Sequence, residues 1–296
     1  MVNDPFLTVF TPTYNRAHTL PQLYASLCRQ CCKSFIWLIV DDGSTDTTEL
    51  LVQSWIVEGK IAIKYYKQEN GGKQRAHNTG VALSETECFL CVDSDDYLVD
   101  DAIQVLSDSW LDVRENSSVS GIIAMRGINQ DEPIGSFLPK GILFSPLTEL
   151  YQKHGFSGDT ELMFRTSILR QFPYDVAEGE KFIPENYAYL QIDQQYTMYL
   201  VHKIIGIGGY QEDGYSKSIH KVIYKNPKSY MKVKKLSMDL APTSKYKFLN
   251  AINLLSAYFI VHRKQRNFSW NGYTLAAYLP GFLLYMIRFK KYAHEA

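Results

Sequence analysis

The first half of the chain alternates short apolar runs with stretches that carry helical spacing. Apolar, β-rich runs bounded by turn residues predict strands, and the amphipathic stretches between them predict helices. The strand candidates are Phe6–Thr11, Phe35–Val40, Ile61–Tyr66, Cys88–Val92 and Gly121–Met125. The helix candidates are Leu20–Arg29, Asp46–Glu58, Lys73–Leu83 and Asp100–Trp110. This alternation predicts an α/β fold, with a mostly parallel sheet covered by helices.

The pattern changes twice along the chain. Regular alternation stops near Gly127, where a stretch rich in Pro and Gly begins, and from Asn226 onward the pattern is helical and rich in Lys. We therefore expect a main domain over residues 1–216, divided at residue 127, and a helical extension over residues 217–296. Within the first part, Asp46 followed by Glu49 predicts a capping box at a helix start.

The composition excludes several classes of protein. With 296 residues, 46% hydrophobic and 21% charged, the chain is neither disordered, nor collagen-like, nor a small disulfide knot. The net charge is zero, but residues 217–296 hold fifteen basic residues against Asp239 and Glu295, a net of +13, so the preceding residues carry −13. Such asymmetry indicates an anionic partner for the basic end.

The cysteines and the apolar runs indicate the cellular compartment of the protein. The two C-x-x-C pairs raise the possibility of zinc, but one lies in a helical pattern and the other in an apolar strand, which favours buried core thiols. The odd count of five cysteines, and a start without a signal-peptide pattern, predict a cytoplasmic protein. The longest apolar run, Leu275–Ile287, has 13 residues and contains Pro280, too short to span a bilayer.

Polar motifs follow four of the predicted strands. They are TPTYNR (Thr11–Arg16), DDGSTD (Asp41–Asp46), NGGKQRAHNTG (Asn70–Gly80) and DSDD (Asp93–Asp96). Because the carboxyl ends of parallel strands meet at one edge of a sheet, these motifs are expected to lie together there.

Each motif has a structural and a functional interpretation. In the D-x-D of Asp93 and Asp95, one carboxylate would take a sugar hydroxyl and the other a divalent cation. Taken alone, this pattern favours the plainer interpretation, an acidic turn that caps the helix at Asp100. Asp41 either belongs to a turn and helix cap or accepts from a pyrimidine N–H. The NGGK segment either starts a helix or aims Lys73 and Arg75 at phosphates.

Taken together and in this order, the motifs resemble the inverting glycosyltransferases of family 2, which have the GT-A fold. The match is strong over Phe6–Tyr97 and looser over Gly155–Lys217. The resemblance implies a nucleotide-binding part over residues 1–127, an acceptor part over residues 128–216, and a nucleoside-diphosphate sugar as donor, most often a uridine one.

The resemblance also implies roles for single residues. Thr11, Pro12, Tyr14 and Arg16 would line the nucleoside pocket, and Asp41 would meet the uracil. Lys73 and Arg75 would contact the base or the phosphates. Asp93, with Ser94 beside it, would bind ribose or the donor sugar, while Asp95 would hold Mn²⁺ or Mg²⁺. The residues that carry these roles are Thr11, Pro12, Tyr14, Arg16, Asp41, Lys73, Arg75, Asp93, Ser94 and Asp95.

Inversion by a single displacement requires a base for the acceptor hydroxyl, and in the family this is an acid in the second half. The matching text here is GEKFIPENYAY, in which no Asp follows the Glu. Glu185 is our first choice and Glu180 our second, while a surface acid or a helix-start charge is the plain alternative for each. The Q-x-x-R-W pattern of processive members is absent, which favours a single addition.

The basic, aromatic-rich extension suits an anionic membrane surface, where lipid-linked acceptors lie. A solvated helical face is the alternative, and no nucleic-acid-binding module is found. Lys217 or Lys221 would reach the donor diphosphate in a closing loop. We thus expect a cytoplasmic transferase, peripheral at the inner face of the cell membrane, that acts on a glycan or lipid-linked acceptor in surface polysaccharide biosynthesis. The competing functions are an inactive sugar-nucleotide or glycan-binding protein, a nucleotidyltransferase and a membrane scaffold.

Overall fold

The computed structural model describes residues 4–208, 215–261, 268 and 270–294. The chain divides into two compact units. The first unit is Met1–Pro173 with Gln191–Gly209, and the second unit is Tyr174–Leu190 with Tyr210–Ala296. The division between residues 216 and 217 that we expect from the sequence stays a prediction. The two compact units separate near residue 210, and Tyr174–Leu190 belongs to the second unit.

The first unit contains a nine-stranded sheet in the described part of the chain. Its strands are β1 Leu7–Thr13, β2 Phe35–Asp41, β3 Ile63–Lys67, β4 Cys88–Cys91, β5 Tyr97–Leu98, β6 Val119–Gly127, β7 Phe144–Ser145, β8 Thr160–Arg165 and β9 Thr197–Ile207. Its helices are α1 Leu20–Arg29, α2 Thr48–Glu58, α3 Lys73–Leu83, α4 Ala102–Val113, α5 Leu147–Gln152 and α6 Thr166–Leu169. A further helix, α7 Asn186–Ile192, runs across the division between the units.

The sheet order is β3-β2-β1-β4-β8-β6-β9-β5, and β7 also pairs with β9. β1 to β4 run parallel to one another, whereas β8 is antiparallel to both β4 and β6. All seven residues of β1 are buried, as expected for a central strand covered on both faces. The α/β class predicted from the alternating pattern is thereby confirmed.

Pro12 sits near the end of the central strand without disturbing it. The last β1 residue paired with β4 is Phe10, opposite Cys91, and the Phe10 carbonyl accepts the Val92 N–H at 2.9 Å. Because residues two apart on a strand face the same neighbour, the ring nitrogen of Pro12 faces the side where β4 has ended. The missing N–H of Pro12 is therefore not needed by the ladder.

Two local expectations are corrected. α2 begins at Thr48 after Thr47 as N-cap, and no side-chain cap bond is made by Thr47, so the predicted capping box of Asp46 and Glu49 does not form. The Asp46 carboxylate accepts the Thr48 N–H instead, at 3.0 Å. The five cysteines are free thiols, but of them only Cys88 is buried and Cys31 is exposed, so the expectation of buried core thiols is wrong for most of them.

The second unit is helical in its described residues. Its helices are α8 Tyr215–Lys225, α9 Pro227–Asp239, α10 Ser244–Ile260, α11 Gly272–Ala276 and α12 Tyr278–Arg288, followed by a 3-10 turn at Lys290–His294. Its core is aromatic and aliphatic, with Leu255, Phe259 and Phe289 among the buried residues. This confirms helical structure across most of the extension. The side chain of Lys217 and the His262–Arg266 basic cluster lie outside the described residues.

Candidate active site

The polar motifs lie at one edge of the sheet, as the parallel order requires. β1 is flanked by β2 and β4, with Thr13 opposite Asp41 and Phe10 opposite Cys91. The segments that follow these three strands therefore leave the sheet side by side, on either side of the point where the strand order reverses. Open α/β sheets bind their ligands at such a point.

The segment after β1 is tied to the segment after β2. Asn15 has a φ of 54°, the left-handed region that Asn tolerates better than most residues. Its side-chain oxygen accepts the Thr45 N–H at 2.8 Å, and its own N–H donates to Ser44 Oγ at 2.8 Å. The neighbouring Tyr14 is exposed at this rim, where its ring is open to stacking with a base. Arg16 is half-buried in the same segment.

The first residues of this motif are buried in the sheet. The Thr11 hydroxyl accepts the Trp37 indole N–H at 3.0 Å inside the core, and Pro12 is buried as well. Their expected place in the nucleoside pocket remains a prediction, and the contact that the structure gives Thr11 is with Trp37.

Asp41 is buried and already has two donors. Its carboxylate accepts the Ser44 N–H at 2.7 Å and the Tyr65 hydroxyl at 2.6 Å. Burial, followed by the hydrogen bond to Asp41, raises the pKa of Tyr65, which keeps this hydroxyl protonated and donating. Each carboxylate oxygen can accept more than one hydrogen bond, so the predicted contact with uracil stays open as a prediction.

Asp42, which the sequence reasoning did not single out, holds the glycine loop. Its carboxylate accepts the N–H groups of Gly71 and Gly72, at 2.8 and 2.7 Å, and the Gln68 side-chain amide at 2.8 Å. Gly72 has a φ of 94°, a conformation that glycine adopts without steric cost. The signal in the sequence was the pair of adjacent acids, Asp41 and Asp42, ahead of NGGK. Asp41 accepts the Ser44 N–H within its own loop, whereas Asp42 holds the loop that contains Gly71 and Gly72.

Lys73 and Asp93 join the third motif to the fourth. Lys73 Nζ lies 2.6 Å from Asp93 Oδ1 and 2.9 Å from Oδ2. Burial acts to raise the pKa of Asp93, but the charges of Lys73 and Arg126 outweigh it and hold that pKa below its ordinary value. Asp93 is therefore ionised at neutral pH. Arg75 donates to the Gly71 carbonyl at 2.8 Å, and Ser94 is buried beside Asp93.

Asp95 differs from the acids on either side of it. Asp93 is paired with Lys73 and Asp96 with Arg126, whereas Asp95 is partly exposed and has no hydrogen bond or ion pair within the described residues. Those same residues contain no group of three or more His, Cys, Asp or Glu that could hold a metal by themselves. One free carboxylate fits a hard divalent cation whose remaining ligands are phosphate and water oxygens.

A buried ionic cluster lies directly behind these acids. Arg126, at the end of β6, reaches Asp96 at 3.1 Å and Glu161 of β8 at 2.8 Å. Burial raises the pKa of Asp96 to about 8 and also raises that of Glu161. Neither Arg126 nor Glu161 was predicted from the sequence. The signal was present, since Arg126 lies at the end of an apolar run and Glu161 lies inside one.

The two candidate bases belong to the second unit, and their surroundings differ. Glu180 is buried, and its carboxylate accepts the N–H groups of Lys228 and Ser229 at 2.8 and 2.7 Å, at the start of α9. Glu185 is exposed immediately before α7. The structure thus gives Glu180 a role in holding a helix terminus, while either residue's role as base stays a prediction.

Known glycosyltransferases resemble this chain in sequence. A sequence model of glycosyl transferase family 2 matches residues 8–172. The glycosyltransferase GlyA of Streptococcus pneumoniae is 26% identical over 83% of this chain, and the poly(ribitol-phosphate) β-N-acetylglucosaminyltransferase TarP of Staphylococcus aureus is 27% identical over 65%. This chain spans 33% of the length of GlyA and 56% of that of TarP.

Solved structures show the same fold. S. aureus TarS in complex with UDP-GlcNAc aligns over 95% of this chain and 80% of its own, with a TM-score of 0.62 and 17% identity. The mannosyltransferase PcManGT of Pyrobaculum calidifontis, in complex with GDP-Man and Mn²⁺, aligns over 96% and 84%, with a TM-score of 0.57 and 17% identity.

The fold is that of the GT-A class, and the matched domain is a glycosyl transferase family 2 domain. The chain belongs to glycosyl transferase family 2, which confirms the resemblance drawn from its motifs.

Proposed function

We propose that this protein transfers a sugar from a uridine-diphosphate sugar to a hydroxyl group of a glycan or lipid-linked acceptor, with inversion at the anomeric carbon. The observation that carries the proposal is the unpaired carboxylate of Asp95 beside the Lys73–Asp93 ion pair, at the carboxyl edge of β1 and β4. This edge offers both an acid for a cation and fixed charges for a diphosphate.

The donor pocket would use the segments after β1 and β2. Tyr14 would stack on the base, Asp41 would accept from the uracil N–H, and Arg16 would lie toward the nucleoside. TarS, which has this fold, binds UDP-GlcNAc, and PcManGT binds GDP-Man. We choose uridine because the motifs resemble a family whose donors are most often uridine ones, and because TarS, which has this fold, binds UDP-GlcNAc.

The diphosphate and the sugar would be held by residues of α3 and the D-x-D. Lys73 and Arg75 would face phosphate oxygens, and Asp93, oriented by Lys73, would accept from a hydroxyl of the ribose or the sugar. Asp95 would hold Mn²⁺ or Mg²⁺. When bound, such a cation supplies charge stabilisation to the departing nucleoside diphosphate.

The acceptor side requires a general base. In a single displacement the acceptor oxygen attacks the anomeric carbon while its proton passes to a carboxylate. We assign this role to Glu185, because it is an exposed residue, whereas Glu180 is buried and its carboxylate holds two backbone N–H groups at the start of α9. The names of TarP and TarS, which modify poly(ribitol phosphate), support a role in surface polysaccharide biosynthesis.

The test is nucleoside diphosphate release from a panel of sugar nucleotides, with Mn²⁺, with Mg²⁺ and with a chelator. Asp95→Asn keeps the shape of the side chain and removes its charge, and the matched control is Asp108→Asn at an exposed position of α4. We expect release from a uridine donor that falls about 100-fold or more in Asp95→Asn and with chelator, and is unchanged in Asp108→Asn.

Other outcomes of this assay would point elsewhere. Donor binding by calorimetry without turnover under any condition would support a sugar-nucleotide-binding protein. Turnover that survives both the chelator and Asp95→Asn would overturn the role given to Asp95.

A further inference from the structure

Helices α11 and α12 leave an apolar strip uncovered on the second unit. We define the α11–α12 face as Leu275, Leu279, Leu283, Met286 and Ile287, whose exposed fractions are 63%, 63%, 51%, 36% and 76%. Leu279, Leu283 and Ile287 of α12 are four residues apart, with Met286 between the last two, so they lie on one side of that helix. Leu275 precedes them on α11. Single exposed leucines are ordinary, whereas a continuous strip of this kind marks an interaction surface.

The orientation of the strip is fixed by the packing on the other side of the helix. Ala277, Gly281 and Phe289 are buried, and a Cβ added to Gly281 would lie 2.6 Å from Leu255 Cβ of α10. The ring of Phe282 lies 5.2 Å from that of Phe259 of α10. Because α12 approaches α10 this closely, it already has a core of its own, and the α11–α12 face remains outside that core.

The surroundings of the strip carry positive charge. Arg288, Lys290 and Lys291 follow it directly and are exposed. Residues 217–296 hold fifteen basic residues and only two acids, Asp239 and Glu295. At the other end of the strip the aromatic residues Trp270, Tyr273 and Tyr278 are exposed.

Charge decides which occupant this surface suits. A second copy that presents the same face would bring its basic residues toward those of the first, which opposes a symmetric contact of this face with itself. A lipid surface with anionic headgroups meets both parts of the pattern: acyl chains accept Leu and Ile, phosphates attract Lys and Arg, and Trp and Tyr favour the interface between them.

We propose that the α11–α12 face binds an anionic membrane surface, with its aliphatic side chains inserted at the headgroup boundary and Arg288, Lys290 and Lys291 against lipid phosphates. α12 has 11 residues, whereas about 20 are needed to cross a bilayer, so this helix would lie on the membrane. This inference goes beyond the proposed transfer reaction, and it rests on different residues.

The test is sedimentation of the full chain with vesicles of phosphatidylglycerol and phosphatidylcholine, and with phosphatidylcholine alone. The apolar variant is Leu279→Gln/Ile287→Gln, and the charge variant is Lys290→Gln/Lys291→Gln. The matched controls are Leu50→Gln/Val57→Gln, whose residues are also exposed on a helix, and Lys60→Gln/Lys140→Gln. Circular dichroism and thermal unfolding confirm that every variant is folded.

We expect binding to anionic vesicles that weakens with salt, and much weaker binding to phosphatidylcholine alone. The apolar variant should lose about tenfold or more in partitioning, the charge variant several-fold together with part of the salt dependence, and the controls nothing. Nucleoside diphosphate release without vesicles should be unaffected in all four variants, which separates this inference from the proposed reaction.

Two results would overturn the inference. One is equal binding of the apolar variant and its control to anionic vesicles. The other is a concentration-dependent dimer in light scattering that the apolar variant dissociates, which would make the α11–α12 face a contact between copies of the chain.

Discussion

Glu180 and Glu185 show how two acids five residues apart are given different tasks. Glu180 is buried and holds the first N–H groups of α9, where a carboxylate also meets the positive end of the helix dipole. Glu185 is exposed before α7. The surroundings rather than the residue type therefore distinguish a structural acid from a candidate base.

We predict that Glu185→Gln lowers the rate of sugar transfer by about 10²–10⁴-fold and changes the melting temperature less than Glu180→Gln does. Glu180→Gln should destabilise the protein by about 1–2 kcal/mol, because an amide offers one acceptor oxygen where the carboxylate used two. Transfer assays and thermal unfolding of both variants check this. Full activity in Glu185→Gln, with a loss in a folded Glu180→Gln, would reverse the assignment.

Arg126 is the cation on which two buried acids depend. It pairs with Asp96 and Glu161, and Glu161 Oε2 has no partner in its buried position within the described part of the chain. A buried pair is weak evidence of stability, but removal of one partner leaves an uncompensated charge.

We therefore expect Arg126→Met to destabilise the protein by about 3 kcal/mol at pH 8. Burial raises the pKa of Asp96 to about 8 and also raises that of Glu161, and the Arg126 charge opposes both shifts. Without Arg126 both pKa values rise further, so protonation favours the folded variant more than the folded wild type, and the deficit should shrink as the pH falls from 8 toward 5.5. Denaturant unfolding at the two pH values measures this. Arg29→Met, in an exposed pair with Asp100, serves as control and should change stability by less than about 1 kcal/mol.

At the scale of elements, the hydrophobic pattern predicted helices and strands correctly where segments close in sequence are also neighbours in the sheet. The bounds of α1 and α3 agree with prediction at both ends, and β1 to β4 were found within a few residues. β5, β7, β8 and β9 were not predicted as strands, because their antiparallel or interrupted pairing is set by distant partners. Asp42 and Arg126 were missed for the same reason, since their hydrogen bonds and ion pairs join segments far apart in sequence.

Gly80, the last residue of the NGGKQRAHNTG motif, shows what the motif contributes to packing. A Cβ at Gly80 would lie 2.3 Å from a ring carbon of Phe10, and that ring stacks on Phe89 with centroids 5.1 Å apart. α3 can therefore lie close to β1 only with glycine at this position. The motif supplies close helix–strand packing at one end and Lys73 at the other.

We predict that Gly80→Ala destabilises the protein by about 1–3 kcal/mol, because overpacking against buried rings outweighs the gain of about 1 kcal/mol in helix propensity. Gly272→Ala is the matched control, since its added Cβ would meet no atom within 4 Å. Chemical denaturation of both variants measures the difference. Equal stability of the two would show that β1 and α3 separate without cost.

At the scale of the whole molecule, the net charge of zero conceals two opposite parts. Residues 217–296 carry +13 and the preceding residues −13. Charges farther apart than the Debye length, about 10 Å at 0.1 M salt, are largely screened from each other. A surface that approaches the basic helices therefore meets a local positive charge rather than the average of the chain.

The chain should consequently bind a cation exchanger at pH 7 in low salt, although a neutral protein with evenly mixed charge would pass through. Lys290→Gln/Lys291→Gln should elute at clearly lower salt than wild type, because these lysines add to a basic region. Lys60→Gln/Lys140→Gln removes the same formal charge from the acidic part and should elute close to wild type. Elution of both variants at the same reduced salt would show that the resin senses net charge alone, and the electrostatic part of the membrane inference would then lose its basis. Separate elution would locate the attraction in the helical unit, where the α11–α12 face lies.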